Sequence, residues 1–180
     1  IAAILALGYS RKFEFNPLFR DIARNDSSYR VAAEAIYALS NVPDDSSFEF
    51  LSKFVDVESH NDVIRTAAFH SLGQIRDDQA IPIALKFAID RNQSSALRLN
   101  ALSMVRELGI GHDEVESSMI DLLADDNNFI KKKAIDILGS FKTEQSLNAL
   151  KQLQEATLPD DVRRRLRISI EKIERGIGSH

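Results

Sequence analysis

Apolar residues recur along this chain at helical spacing and return in the same register every 32 or 33 residues. Leu7, Leu39, Leu72, Val105 and Leu138 mark the period, and each sits in a similar word: AAILALG, AEAIYALS, RTAAFHSLG, RLNALSMVR, KKKAIDILG. A period of this size is the signature of a repeat array in which each unit buries its apolar face only against its neighbours. Between these words lie shorter apolar stripes such as Phe48, Leu51, Phe54 and Val55, spaced i, i+3, i+6, i+7. Each repeat therefore reads as two helices.

The first helices are expected near Asn16–Asn25, Asp45–Val55, Asp77–Arg91, Asp113–Asp125 and Thr143–Ala156. The second helices are expected near Ser28–Asn41, Val63–Ile75, Ser95–Leu108, Asn128–Phe141 and Asp161–Arg175. Ser46 with Glu49 has the spacing of a capping box. Ser27-Ser28, Asn61 or Asp62, Ser94-Ser95, Asn127-Asn128 and Asp160-Asp161 are the candidate caps of the second helices. Pro82 falls in a first turn, where its missing N–H costs little. The linkers are short, as antiparallel helix pairs need. No composition break appears, so the chain reads as one domain over residues 1–180, with its first repeat truncated.

These words resemble the HEAT-like repeat family, whose second helix runs apolar-Arg-x-x-Ala-Ala-x-Ala-Leu-Gly. Ile64-Arg65-Thr66-Ala67-Ala68-Phe69-His70-Ser71-Leu72-Gly73 carries it most fully. Leu97-Arg98 with Ala101, Ile130-Lys131 with Ala134 and Gly139, and Val162-Arg163 with Leu166 repeat it. The resemblance spans the chain and implies an all-α, right-handed α-solenoid of about five HEAT-like helix pairs. More narrowly, Asp26–Ala35 and Ser59–Arg65, followed by Asp77–Pro82, are similar to the C-terminal HEAT-like domain of aminopeptidase N-family zinc metallopeptidases. That resemblance implies a non-catalytic domain that packs on a catalytic module and shapes substrate access.

Composition narrows the chemistry. The net charge of −4 disfavours a dedicated nucleic-acid binder, and the absence of cysteine removes disulfides and thiolate metal sites. No apolar run is long enough to span a membrane. Cysteine usage suits any compartment, with the cytoplasm slightly favoured. The start at Ile1, inside an apolar helix, suggests a piece of a longer protein, and the closing Gly176–His180 reads as native or as an added tail.

No catalytic motif accompanies the repeats. None of His60, His70, His112 and His180 is followed by Glu, so neither the His-Glu-x-x-His zinc motif nor the His-Glu pairs of HEAT-built iron hydroxylases are present. The metallopeptidases' Gly-x-Met-Glu-Asn motif is missing too. The pairs Asp44-Asp45, Asp77-Asp78, Asp125-Asp126 and Asp160-Asp161 read as helix caps. Asp121, Asp125 and Asp126 lack the glycine and terminal glutamate of a calcium loop. No catalytic residue, cofactor or metal is expected.

What remains is a surface. Counting from the basic position of each second helix, offsets +3, +7 and +10 are apolar, and +1, +2, +5 and +9 are expected to face outward. That stripe reads Ala33, Glu34, Tyr37 and Asn41, then Thr66, Ala67, His70 and Gln74. It goes on through Leu99, Asn100, Ser103 and Glu107 to Lys132, Lys133, Asp136 and Ser140, and ends at Arg164, Arg165, Ile168 and Lys172. Glu34, Tyr37, His70, Asn100, Lys132, Lys133, Arg164 and Arg165 are its candidate contacts. The stripe starts nearly neutral and turns basic, which suits a domain interface or a peptide better than a polyanion. The partners expected are upstream domains of the same parent chain, or another protein or peptide. The main reading is therefore an accessory domain of an aminopeptidase N-like enzyme. The alternatives are a stand-alone HEAT-repeat scaffold and, behind it, a DNA-associated protein.

Overall fold

The computed structural model describes residues 1–177; Gly178, Ser179 and His180 lie outside the described residues. Among the described residues there are eleven α-helices, linked by short turns and three 3-10 turns, and no strand. The chain forms two compact units, Ile1–Ala84 and Leu85–His180, with the division inside one helix, α6 (Ala80–Ile89).

Unit 1 holds α1 (Ala2–Tyr9), α2 (Asn16–Asn25), α3 (Tyr29–Ser40), α4 (Ser47–Ser52) and α5 (Val63–Ile75). Its hub is α3, which packs on α1, α2 and α5. Three neighbours explain why Ala32, Ala33, Ala35, Ile36, Ala38 and Leu39 are all buried, a wider apolar face than a helix with one neighbour needs. Alanine and glycine let these helices approach closely: a Cβ added at Gly8 would meet the Ala38 Cβ at 3.0 Å. Leu39, Leu51, Phe69 and Leu72 fill the seams at 0–1% exposure, each contributing about 1.5–3 kcal/mol.

Unit 2 holds α7 (Ser95–Leu108), α8 (Asp113–Asp121), α9 (Asn128–Phe141), α10 (Glu144–Gln154) and α11 (Asp160–Ile177). Here α9 is the hub, in contact with α7, α8, α10 and α11. Ile130, Ala134, Ile135, Ile137 and Leu138 are accordingly buried all round. Gly139 lies against Ser169 of α11, where an added Cβ would come within 2.9 Å of the serine Cβ. By contrast, α11 buries only Val162, Leu166, Ser169, Ile170 and Ile173, one stripe at i, i+4, i+7, i+8, i+11.

The caps follow a rule that the sequence only half reveals. Asp26, Asp44, Asp77, Asp90 and Asp125 each accept the backbone N–H two residues on, at 2.8–3.1 Å. This is the Asx turn, which satisfies a donor that the incoming helix would leave orphaned. Ser94, Asn127 and Thr143 cap their helices directly. Several expected caps are replaced, Ser27-Ser28 by the Asp26 turn among them. Ser46 and Glu49 form no capping box: Asp44 binds Ser46 N–H and both the Ser46 and Ser47 hydroxyls, while Glu49 pairs with Lys53. Before α5, Asn61 and Asp62 take left-handed backbone, φ 55° each, which Asn and Asp tolerate best among non-glycines. The Ser59 hydroxyl then accepts the Ile64 N–H, and Asp62 turns to Arg65.

Candidate functional site

The outward positions of the second helices fall into two differently built surfaces. In unit 1, Glu34, Tyr37, Ala38 and Asn41 from α3 join His70 and Gln74 from α5 and Ile4, Leu5, Gly8 and Tyr9 from α1 to line a groove of about 310 Å³. Three of the expected contacts, Glu34, Tyr37 and His70, thus meet at one place. Tyr37 is half-buried, and its ring meets His70 edge-on with centroids 5.2 Å apart. Its phenol is pushed above the ordinary tyrosine value by burial first and by the Glu34 charge second. Below them, the Ser40 hydroxyl donates to the Gln74 carboxamide at 2.8 Å.

The stripe needs one correction here. Ala33 and Ala67, counted as outward-facing, are 3% and 0% exposed. With packing partners on several sides, helices α3 and α5 cover their flanking small residues as well as their central stripe. The sequence also left out the α1 wall of the groove, although the Leu7-Gly8 word aligns α1 with the other second helices.

Unit 2 presents the same offsets as an internally bonded net. Lys133 of α9 donates to Ser103 of α7 at 3.0 Å, and Lys132 of α9 to Asp161 of α11 at 2.5 Å. From α11, Arg165 lies 3.4 Å from Asp136, and Lys172 donates to Ser140 at 2.9 Å. Each joins residues 29–32 apart, one repeat on. Burial raises the Asp136 carboxyl, against the pull of Arg165, Lys133, Arg106 and Lys172. Burial also lowers the Lys133 ammonium, helped by repulsion from Arg106. Lys132 lies over the Phe129 ring as well, 4.8 Å from its centroid. Asn100 is half-buried on α7. Arg164 is exposed and lines a separate shallow groove with Gln154, Asp160, Arg163 and Arg167.

Unit 2 also holds a buried ion pair. Arg98 and Asp125, with side chains 5% and 3% exposed, meet at 2.5 Å, and Arg98 also donates to the Ala88 carbonyl. Burial alone would raise the Asp125 carboxyl. The Arg98 hydrogen bond and the Asn127 N–H outweigh it and hold the group below the ordinary aspartate value. The carboxylate that the sequence places in a possible calcium loop is therefore committed to an arginine. Asp44 in unit 1 is similar: burial opposes, but Arg20, Ser46, Asn16 and Ser47 hold its carboxyl well below the usual range. Among the described residues, no group of three or more His, Asp or Glu side chains could hold a metal ion, and no helix is long and apolar enough to cross a membrane.

The sequence profile for HEAT repeats matches residues 16–103 and again residues 84–171. The chain belongs to the HEAT-repeat family. Among solved structures, this HEAT-repeat chain is similar to one in the complex of CpcE and CpcF of phycocyanin lyase from Nostoc sp. PCC7120. The TM-score is 0.67 at 16% identity, over 88% of this chain and 99% of that one. An engineered protein is similar at TM-score 0.54 and 18% identity, over 88% of this chain and 80% of that one. Identities this low show a common fold and nothing finer. No curated protein matches the sequence. Neither the profile nor these structures brings in the aminopeptidase N family, so the HEAT-repeat scaffold is the reading that the matches favour.

Proposed function

We propose that this HEAT-repeat chain is a protein-interaction scaffold, one repeat domain whose unit 1 groove receives a segment of a partner protein. The observation that carries the reading is the convergence of Glu34, Tyr37, Asn41, His70 and Gln74 on one open groove with an apolar wall. Aromatic rings and carboxamides beside aliphatic side chains offer contact area together with donors and acceptors for a peptide backbone. The role is binding and not catalysis. The similar chain in the CpcE–CpcF structure belongs to a two-protein complex, and a protein is the partner class assigned here.

The narrower reading, an accessory domain of an aminopeptidase N-like metallopeptidase, rests on residues 26–35 and 59–82 alone. A scaffold with any parent accounts for the same groove. A DNA-associated role is disfavoured because four cations of the stripe, Lys132, Lys133, Arg165 and Lys172, are engaged by the neighbouring repeat, which leaves Arg164 and its neighbours as a small basic patch.

The test is selection of a random twelve-residue peptide library on the purified chain. Enriched peptides should lose at least tenfold in affinity for the Tyr37→Ala, His70→Ala double variant, with its helical circular dichroism unchanged. Peptides indifferent to that variant, or no enrichment at all, would sink the assignment of the groove.

A further inference from the structure

Glu34 is the one acidic side chain lining the unit 1 groove, and it forms no ion pair among the described residues. Four other part-buried or buried acids of the chain do face a cation. Asp44 faces Arg20, Asp62 faces Arg65, Asp125 faces Arg98 and Asp136 faces Arg165. Glu34 is half-buried like most of these and lines the groove beside Tyr37, whose phenol burial first and the Glu34 charge second make harder to ionise. A partly desolvated carboxylate beside an aromatic ring attracts a cation by both charge and ring quadrupole.

We propose that the groove takes an arginine side chain from the partner segment. This deepens the scaffold reading and rests on it. The guanidinium would meet Glu34, with its flat face along the Tyr37 ring, and its methylenes would lie on the wall made by Ile4, Leu5 and Ala38. Arginine suits this site better than lysine for three reasons. Its planar fork matches a carboxylate, it stacks on aromatic rings, and it is less strongly hydrated. The carboxamides of Asn41 and Gln74 add acceptors that five guanidinium N–H groups can use and an ammonium cannot fully use. Tyr9, 78% exposed, places a second ring at the mouth of the groove. An acidic or purely aliphatic side chain would leave Glu34 repelled or uncompensated.

The experiment uses the peptides selected on the full chain. Their sequences should share an arginine at a fixed position. Fluorescence anisotropy of a labelled peptide should show at least a tenfold loss when that arginine is replaced by citrulline, which keeps the shape and removes the charge. Glu34→Gln in the protein should cost a similar factor, and the two changes together should cost little more than either alone. A second measurement does not depend on selection: titration with N-acetylarginine methylamide should give saturable amide NMR shifts at residues 34–41 and 70–74. N-acetylglutamate methylamide should give none.

Peptides that need Tyr37 and His70 but share no arginine, or binding indifferent to Glu34→Gln, would overturn the arginine site and leave the scaffold standing. Arginine and glutamate derivatives shifting the same amides equally would overturn it as well. If no selected peptide depends on the groove, both readings fall.

Discussion

On α3 and α5 the outward offsets meet as rings, Tyr37 against His70, and Gln74 accepts from the buried Ser40 hydroxyl; on α7, α9 and α11 the same offsets meet as ions and hydroxyls. Both surfaces grow from one repeat pattern and one backbone geometry. In unit 2, Lys132, Lys133, Arg165 and Lys172 each find an acceptor one repeat away and are spent on the structure, while Arg164 stays exposed. In unit 1, short and aromatic side chains leave a groove, with one carboxylate unmatched. A charged stripe in a repeat sequence is therefore not an available charge until the acceptors about 30 residues away are known.

The hardest blow to unit 1 is Leu72→Asp. Leu72 is fully buried on α5, and unit 1 has few polar links across its second helices to hold them once the apolar seam fails. An ionised aspartate there should destabilise by more than about 4 kcal/mol and erase the groove. Urea unfolding followed by circular dichroism measures it, and a fully helical variant of wild-type stability would refute the assigned register.

The next largest effect tests whether unit 2 depends on its buried ions. Asp125→Ala leaves Arg98 in the interior without its carboxylate and should cost about 3–5 kcal/mol. Asp125 also gives a pH signature. Its folded pKa lies below the unfolded one, so its contribution is complete above about pH 4 and is lost as pH falls through the lower folded value. The urea midpoint of the wild type should therefore drop more between pH 7 and pH 3 than that of Asp125→Ala. Equal drops would show that the pair contributes nothing.

The smallest effect concerns the surface net. Arg165→Ala breaks a part-exposed pair with Asp136 and should cost less than about 1 kcal/mol, and less still at high salt. A loss as large as that of Asp125→Ala would mean that the net, and not the core beneath it, holds α9 and α11 together.

Much of the fold was legible. The boundaries of α2, α5, α7 and α9 agree with the apolar periodicity to the residue, because leucine and alanine at 3.6-residue spacing have few other ways to be buried. The cap of α4 differs from the expected box, since Ser46 and Glu49 have the right spacing but Asp44 offers a stronger acceptor two residues earlier. Of the candidate contacts, Glu34, Tyr37 and His70 line one groove. Their meeting with Ile4, Leu5 and Tyr9 was not foreseen, because those residues lie about 25 or more positions earlier and join only through packing.

By itself, then, the sequence determined the helix pairs, their period and the central apolar stripe of each second helix. Those properties follow from local geometry and from the pattern of apolar residues. Only the tertiary structure decided which charges are consumed and which stay available. Arg98 and Asp125 are 27 residues apart, and Lys133 and Ser103 are 30; whether they meet depends on how one repeat stacks on the next. Glu34 is one acidic side chain among many in the sequence. It becomes a candidate binding group because it lines the groove and, among the described residues, meets no cation in an ion pair.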